Sequence, residues 1–153
     1  MKKEHIEYLK TIGLSDILIE RVDSIYSLYK EVCPEEITDI FVDNYLKKDG
    51  TNVYESLWFF SGNSHVMEAR QFAIVEEDIF DILSIPDQIV YCKFEKRDYN
   101  FKKATDKSRL SLEIWFRDNE ELLCIFTASE INCDFLKEIY MKIIKPKLKK
   151  TTS

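Results

Sequence analysis

Along residues 109–117 apolar and polar positions alternate. Leu110, Leu112, Ile114 and Phe116 fall on one side; Ser111, Glu113, Trp115 and Arg117 fall on the other. A period of two predicts a half-buried β-strand. Comparable runs recur through the middle of the chain. Residues 38–46 and 52–61 read as a hairpin about Lys48-Asp49-Gly50-Thr51, which has Asp-Gly turn chemistry. Gly62-Asn63-Ser64 turns the chain into His65–Phe72, and Glu76-Glu77-Asp78 leads into Ile79–Leu83. Pro86-Asp87 opens a strand from Gln88 to Lys96, with Val90, Cys92 and Phe94 on one face. The polar, Lys-rich stretch 97–108 reads as the longest loop, unless Tyr99 and Phe101 extend the preceding strand. After 109–117, a turn at Asp118-Asn119-Glu120 leads into Leu122–Thr127. Residues 35–46 alone carry two patterns: Ile37, Ile40, Phe41 and Tyr45 suit a helix, whereas Ile40, Val42 and Leu46 suit a strand.

Both ends have the longer period of a helix. A segment from Glu4 to Ile12 stops at Gly13, a suitable residue just past a helix end. Ser15 caps a longer helix, with Asp16 favourably placed against its dipole and a stripe of Leu18, Val22, Ile25, Leu28, Tyr29 and Val32. This N-terminal arm either packs on its own domain or reaches a second subunit. Ser129 is the expected cap of the last helix, whose apolar face runs from Ile131 through Phe135, Leu136, Ile139, Tyr140, Ile143 and Ile144 until Pro146 ends it. The expected organisation is a helical extension (1–33), a body (34–146) and a fraying polar tail (147–153).

About seven antiparallel strands followed by one helix exclude a doubly wound fold, which alternates strand and helix. They predict an α+β domain: a strongly bent sheet or partly open barrel, closed by the C-terminal helix over an edge that would otherwise invite aggregation. In its element order, and in the late run Leu110–Phe116, Leu122–Phe126, Ile131–Ile144, the chain resembles the pleckstrin-homology-like (PH-like) superfold over residues 38–145. The resemblance implies a seven-stranded partly open barrel capped by the helix. It also implies kinship with bacterial cytosolic domains that serve in assembly or protein binding. Fold alone does not fix function.

The strands hold more apolar surface than one interior needs. On 52–61, Val53, Leu57 and Phe59 alternate with Tyr54, Trp58 and Phe60, so both faces are apolar, and Trp115 stands opposite the clean face of its strand. Either the terminal helices cover the second face, or Trp58, Phe60 and Trp115 include the anchor of a protein–protein contact, where Trp and Tyr are enriched.

Composition narrows the function classes. The chain has 153 residues, a third of them charged, and a net charge of −6, which opposes broad nucleic-acid affinity. No segment has the length of a membrane span or the apolar core of a secretory signal. Cys33, Cys92, Cys124 and Cys133 form no Cys-x-x-Cys pair, and His5 and His65 lie far from any of them; Cys92 and Cys124 fall at strand positions with apolar neighbours and read as buried free thiols, in a reducing cytoplasm. Phosphate loops and nucleophile elbows are missing from the three glycines available. Glu76, Glu77, Asp78 and Asp81 lack calcium-loop spacing and read as a solvated connection.

No cofactor, metal, small-molecule substrate or catalytic residue is expected. The expected function is non-enzymatic: a protein-interaction or assembly module that binds a protein partner or itself, with no nucleic acid and no stable membrane association. The alternative is contact with anionic lipid or nucleic acid through Lys142, Lys145, Lys147, Lys149 and Lys150.

Overall fold

The structure is a computed structural model that describes residues 1–33, 35–47, 49–89, 91–98, 108–115 and 122–148. The chain is α+β and divides into two compact units: residues 1–43 with 54–84, and residues 44–53 with 85–153. The N-terminal helices cluster with the first strands.

In the first unit, α1 (Lys3–Thr11) and α2 (Asp16–Val32) precede a four-stranded sheet of order β1 (Asp39–Leu46), β2 (Asn52–Ser61), β3 (His65–Arg70), β4 (Asp81–Ser84). The tips of β1 and β2 cluster with the second unit. β3 pairs antiparallel with β2 and with β4, setting Phe59 opposite Met67 and Met67 opposite Ile82. The open choice at 35–46 resolves to strand from Asp39 onward. At the hairpin end the Lys47 amide donates to the Thr51 carbonyl.

Gly13 follows α1 with φ +88°, a left-handed conformation that glycine adopts without strain. A Cβ there would also stand 3.1 Å from the Tyr54 hydroxyl, which donates to the Ile12 carbonyl at 2.6 Å. Ser15 Oγ then accepts the Leu18 amide, as its cap position predicts. Val22, Ile25, Tyr26 and Tyr29 form the buried stripe of α2, with Val32 left exposed at the helix end. The Tyr26 and Tyr29 rings meet Phe59 edge-on at 5.6 and 5.8 Å, contacts worth about 0.5–1.5 kcal/mol each beyond simple burial. The Tyr29 hydroxyl bonds Ser61 at 2.8 Å, and the Tyr8 hydroxyl accepts the Val42 amide at 3.0 Å. Both helices are thus fastened to the sheet of their own unit.

In the second unit, β5 (Tyr91–Asp98), β6 (Ser108–Trp115) and β7 (Leu122–Ala128) form an antiparallel meander with a register shift between Ile114 and Trp115. No pairing closes either sheet on itself among the described residues. Cys124, Phe126 and Ala128 share the core with Leu136, Ile139, Ile143 and Ile144, while Ile125 faces outward. The last helix, α3, begins at Cys133 rather than near Ser129. Ser129 instead binds Asn44. Its Oγ accepts from the Asn44 side-chain amide at 2.6 Å, and its backbone N–H donates to the Asn44 side-chain carbonyl at 3.1 Å. Asn52 and Asn132 complete this buried polar group through Asn44.

Beyond α3 the backbone widens into a π-helical stretch, Tyr140–Ile144, and then tightens into a 3₁₀ turn, Lys145–Lys147, that contains Pro146. The expected fraying tail does not begin at 147. Lys147 is buried, its ammonium donates to the carbonyls of Ile85 (3.3 Å) and Pro86 (3.2 Å), and its own carbonyl accepts the Ile89 amide. Leu148 forms a parallel bridge with Ile89.

Candidate functional site

Trp58 and Phe60 are each 1 % exposed. Strand β2 is buried on both faces from Leu57 to Ser61, so these two aromatics are core residues, and as such they offer no surface to a partner. The side chain of Trp115 lies outside the described residues. An interaction surface must therefore be sought elsewhere.

One cluster has the residue types of a hydrolytic site. Ser64 Oγ lies 2.6 Å from Glu35 Oε2, and His65 Nδ1 lies 3.1 Å from the same oxygen and 3.2 Å from Ser64 Oγ. In a catalytic relay the imidazole stands between the two, one nitrogen facing the nucleophile and the other the carboxylate. Here a single nitrogen meets both. The hydroxyl proton points at Glu35 and the Ser61 carbonyl, and the Ser64 hydroxyl, followed by His65, holds the Glu35 carboxyl below its usual range. A carboxylate so stabilised is a poor base. The cluster is a clasp between the segment before β1 and the β2–β3 turn.

Among the described residues no group of three His, Cys, Asp or Glu side chains could hold a metal ion. None of the four cysteines is in a disulfide, and burial pushes the Cys92 thiol up to about 11, which opposes nucleophilic use.

Three exposed apolar residues of the first unit, Ile17, Ile74 and Ile79, lie on the two segments that Arg21 joins, α2 and the β3–β4 connection. Arg21 organises that junction. Its Nε donates to the Phe72 carbonyl at 3.2 Å, and Nη2 donates to the carbonyls of Val75 (2.9 Å) and Glu77 (2.5 Å). Nη1 pairs with Asp78, whose other oxygen accepts from Ser24 at 3.1 Å. The planar guanidinium suits this use, because its donors lie in a fixed fork. The acidic connection expected to be merely solvated is therefore anchored through Asp78.

Within it, the amides of Ile74 and Val75 both donate to the Gln71 carbonyl, and Gln71 has φ +51°. Ile74, between two of the gripped carbonyls, is 76 % exposed. Ile17 precedes Arg21 by one turn of α2, which makes them neighbours on the helix, and it is 78 % exposed. Ile79, just after Asp78, is 65 % exposed. Periodicity had no means of finding this surface, since it depends on one cation reaching a loop more than fifty positions away.

No helix among the described residues is long and apolar enough to cross a membrane. No family model, curated protein or solved structure matches the chain.

Proposed function

We propose that this chain is a non-enzymatic protein-interaction or assembly module that docks through the junction of α2 with the β3–β4 connection. The observation that carries the reading is the exposure of Ile17, Ile74 and Ile79 on backbone already fixed by Arg21. Three β-branched apolar side chains held outward on an ordered frame lose little entropy on binding, and covering them gains roughly 25 cal/mol per Å² of apolar surface. The order of strands and the closing helix support the finer reading of a PH-like architecture, a scaffold that presents such surfaces.

Binding of anionic lipid or nucleic acid through the lysine-rich C-terminus draws less support, because Lys147 is held by the carbonyls of Ile85 and Pro86.

Site-specific photocrosslinking tests the proposal. A benzophenone side chain at position 74 is expected to yield a discrete protein adduct in native extract, and the same probe at exposed Lys10 is not. The adduct is expected to vanish when Ile17→Ser is added. Equal adducts at both positions, or none at 74, overturn the reading.

A further inference from the structure

The surface around Ile17 and Ile74 has a sign as well as an apolar centre. Residues 14–29 and 71–84 together carry seven carboxylates against one cation, Arg21, and that cation is turned into the loop. Two of the carboxylates are answered within the unit: Asp78 by Arg21 and Ser24, and Asp23 by the N-terminal ammonium at 3.6 Å. Asp16, Glu20, Glu76, Glu77 and Asp81 stand exposed, without an ion pair among the described residues. Apolar side chains thus protrude from the same two segments whose charge is almost all negative.

Resting on the interaction reading above, we infer that the occupant of this face is a cationic amphipathic segment of another protein. Its apolar side chains cover Ile17 and Ile74, and its lysines or arginines meet the surrounding carboxylates. Three arguments select this chemistry. A neutral apolar partner would desolvate carboxylates without pairing them, which is costly. A second copy joined about a two-fold axis would present this same patch to itself and set carboxylate against carboxylate. A cationic segment without apolar positions would leave the isoleucines in water and gain only screened surface attraction.

Fluorescence anisotropy on the full chain tests the inference. The probes are a labelled amphipathic Leu/Lys helix, a scrambled peptide of the same composition, and a Leu/Glu helix of the same pattern. The Leu/Lys helix is expected to bind at least about tenfold more tightly than the scramble, a difference of about 1.4 kcal/mol. Its affinity is expected to fall steeply as salt rises from about 0.1 to 1 M, where the screening length drops from about 10 to 3 Å. Glu76→Gln with Glu77→Gln, and separately Ile17→Ser with Ile74→Ser, are expected to weaken it several-fold without loss of the folded circular-dichroism signal. Equal binding of helix and scramble, or indifference to the glutamine pair, overturns the inference.

The arms separate its failure from that of the parent reading. If the Leu/Glu helix binds and the serine pair abolishes this, or if light scattering shows a dimer that the serine pair dissolves, the docking face stands and its cationic partner falls. If the Leu/Lys helix binds the serine pair unchanged, both fall.

Discussion

Asn44 bonds Ser129 twice, giving its amide hydrogen to the hydroxyl at 2.6 Å and taking the Ser129 backbone hydrogen at 3.1 Å. Both residues are buried. The pair ties the β1–β2 hairpin tip to the chain between β7 and α3, inside the second unit. Asn44→Ala strands a buried N–H and removes the partner of a buried hydroxyl. It is expected to cost about 2–3 kcal/mol, read as a lower urea midpoint at unchanged slope. Ser129→Ala should be milder, and the double mutant less than additive. Full additivity would show that the two side chains do not act together.

Arg21→Lys keeps the charge and loses the fork. The expected result is faster hydrogen exchange at the Ile74 and Val75 amides, whose shared acceptor is Gln71, with a global loss of only about 1–2 kcal/mol. Unchanged protection at those amides would mean that the loop holds its shape without Arg21.

His5 makes stability depend on pH. Burial, the largest influence, pushes its imidazole below the ordinary value of 6.5, against the opposing pull of the Thr38 backbone, Glu4 and Asp39. The folded chain therefore keeps His5 neutral where the unfolded chain protonates it. This contribution is complete above about pH 6.5 and is lost as pH falls through the folded-state value. His5→Gln is expected to flatten the fall in urea midpoint just below about pH 6.5, while a fall below the ordinary Glu35 value of 4.5 remains, since that carboxyl is lowered too. Identical pH profiles for wild type and His5→Gln would remove the assignment.

Lys147→Met deletes the donor shared by the Ile85 and Pro86 carbonyls. A loss of about 1–3 kcal/mol is expected, with the Ile89 amide losing protection before the β7 amides do. If Ile89 keeps its protection, the C-terminal turn is held by packing alone.

Alternation and capping chemistry in the sequence located most elements. The period of two in 109–115, the Asp-Gly turn and the Ser15 cap each act within a few residues, and each sits where local chemistry puts it. Residues whose role is set at long range were illegible. Ser129 has the side chain of a helix cap, but Asn44, remote in sequence, claims its hydrogen bonds, and α3 starts later. Trp58 and Phe60 were legible as surplus aromatics on a two-faced strand, but the pattern does not say that both faces are covered. Ile17 and Ile74 lie in a helix and a loop that no local pattern links. Only the reach of Arg21 across fifty-one positions brings their segments together.

The wide turn at Tyr140–Ile144 sets the aim of Lys145–Leu148. Each residue of an ordinary helix advances about 100° around the axis. Recasting the same five residues as ordinary α-helix, with none removed, would restore regular hydrogen bonding and improve the helix as a helix. It would also swing the following residues by roughly that angle, and the ammonium of Lys147 would leave its two carbonyls. A flaw in the helix is thus what makes its last turn fit, and substitutions that raise helical regularity there should leave the second unit looser.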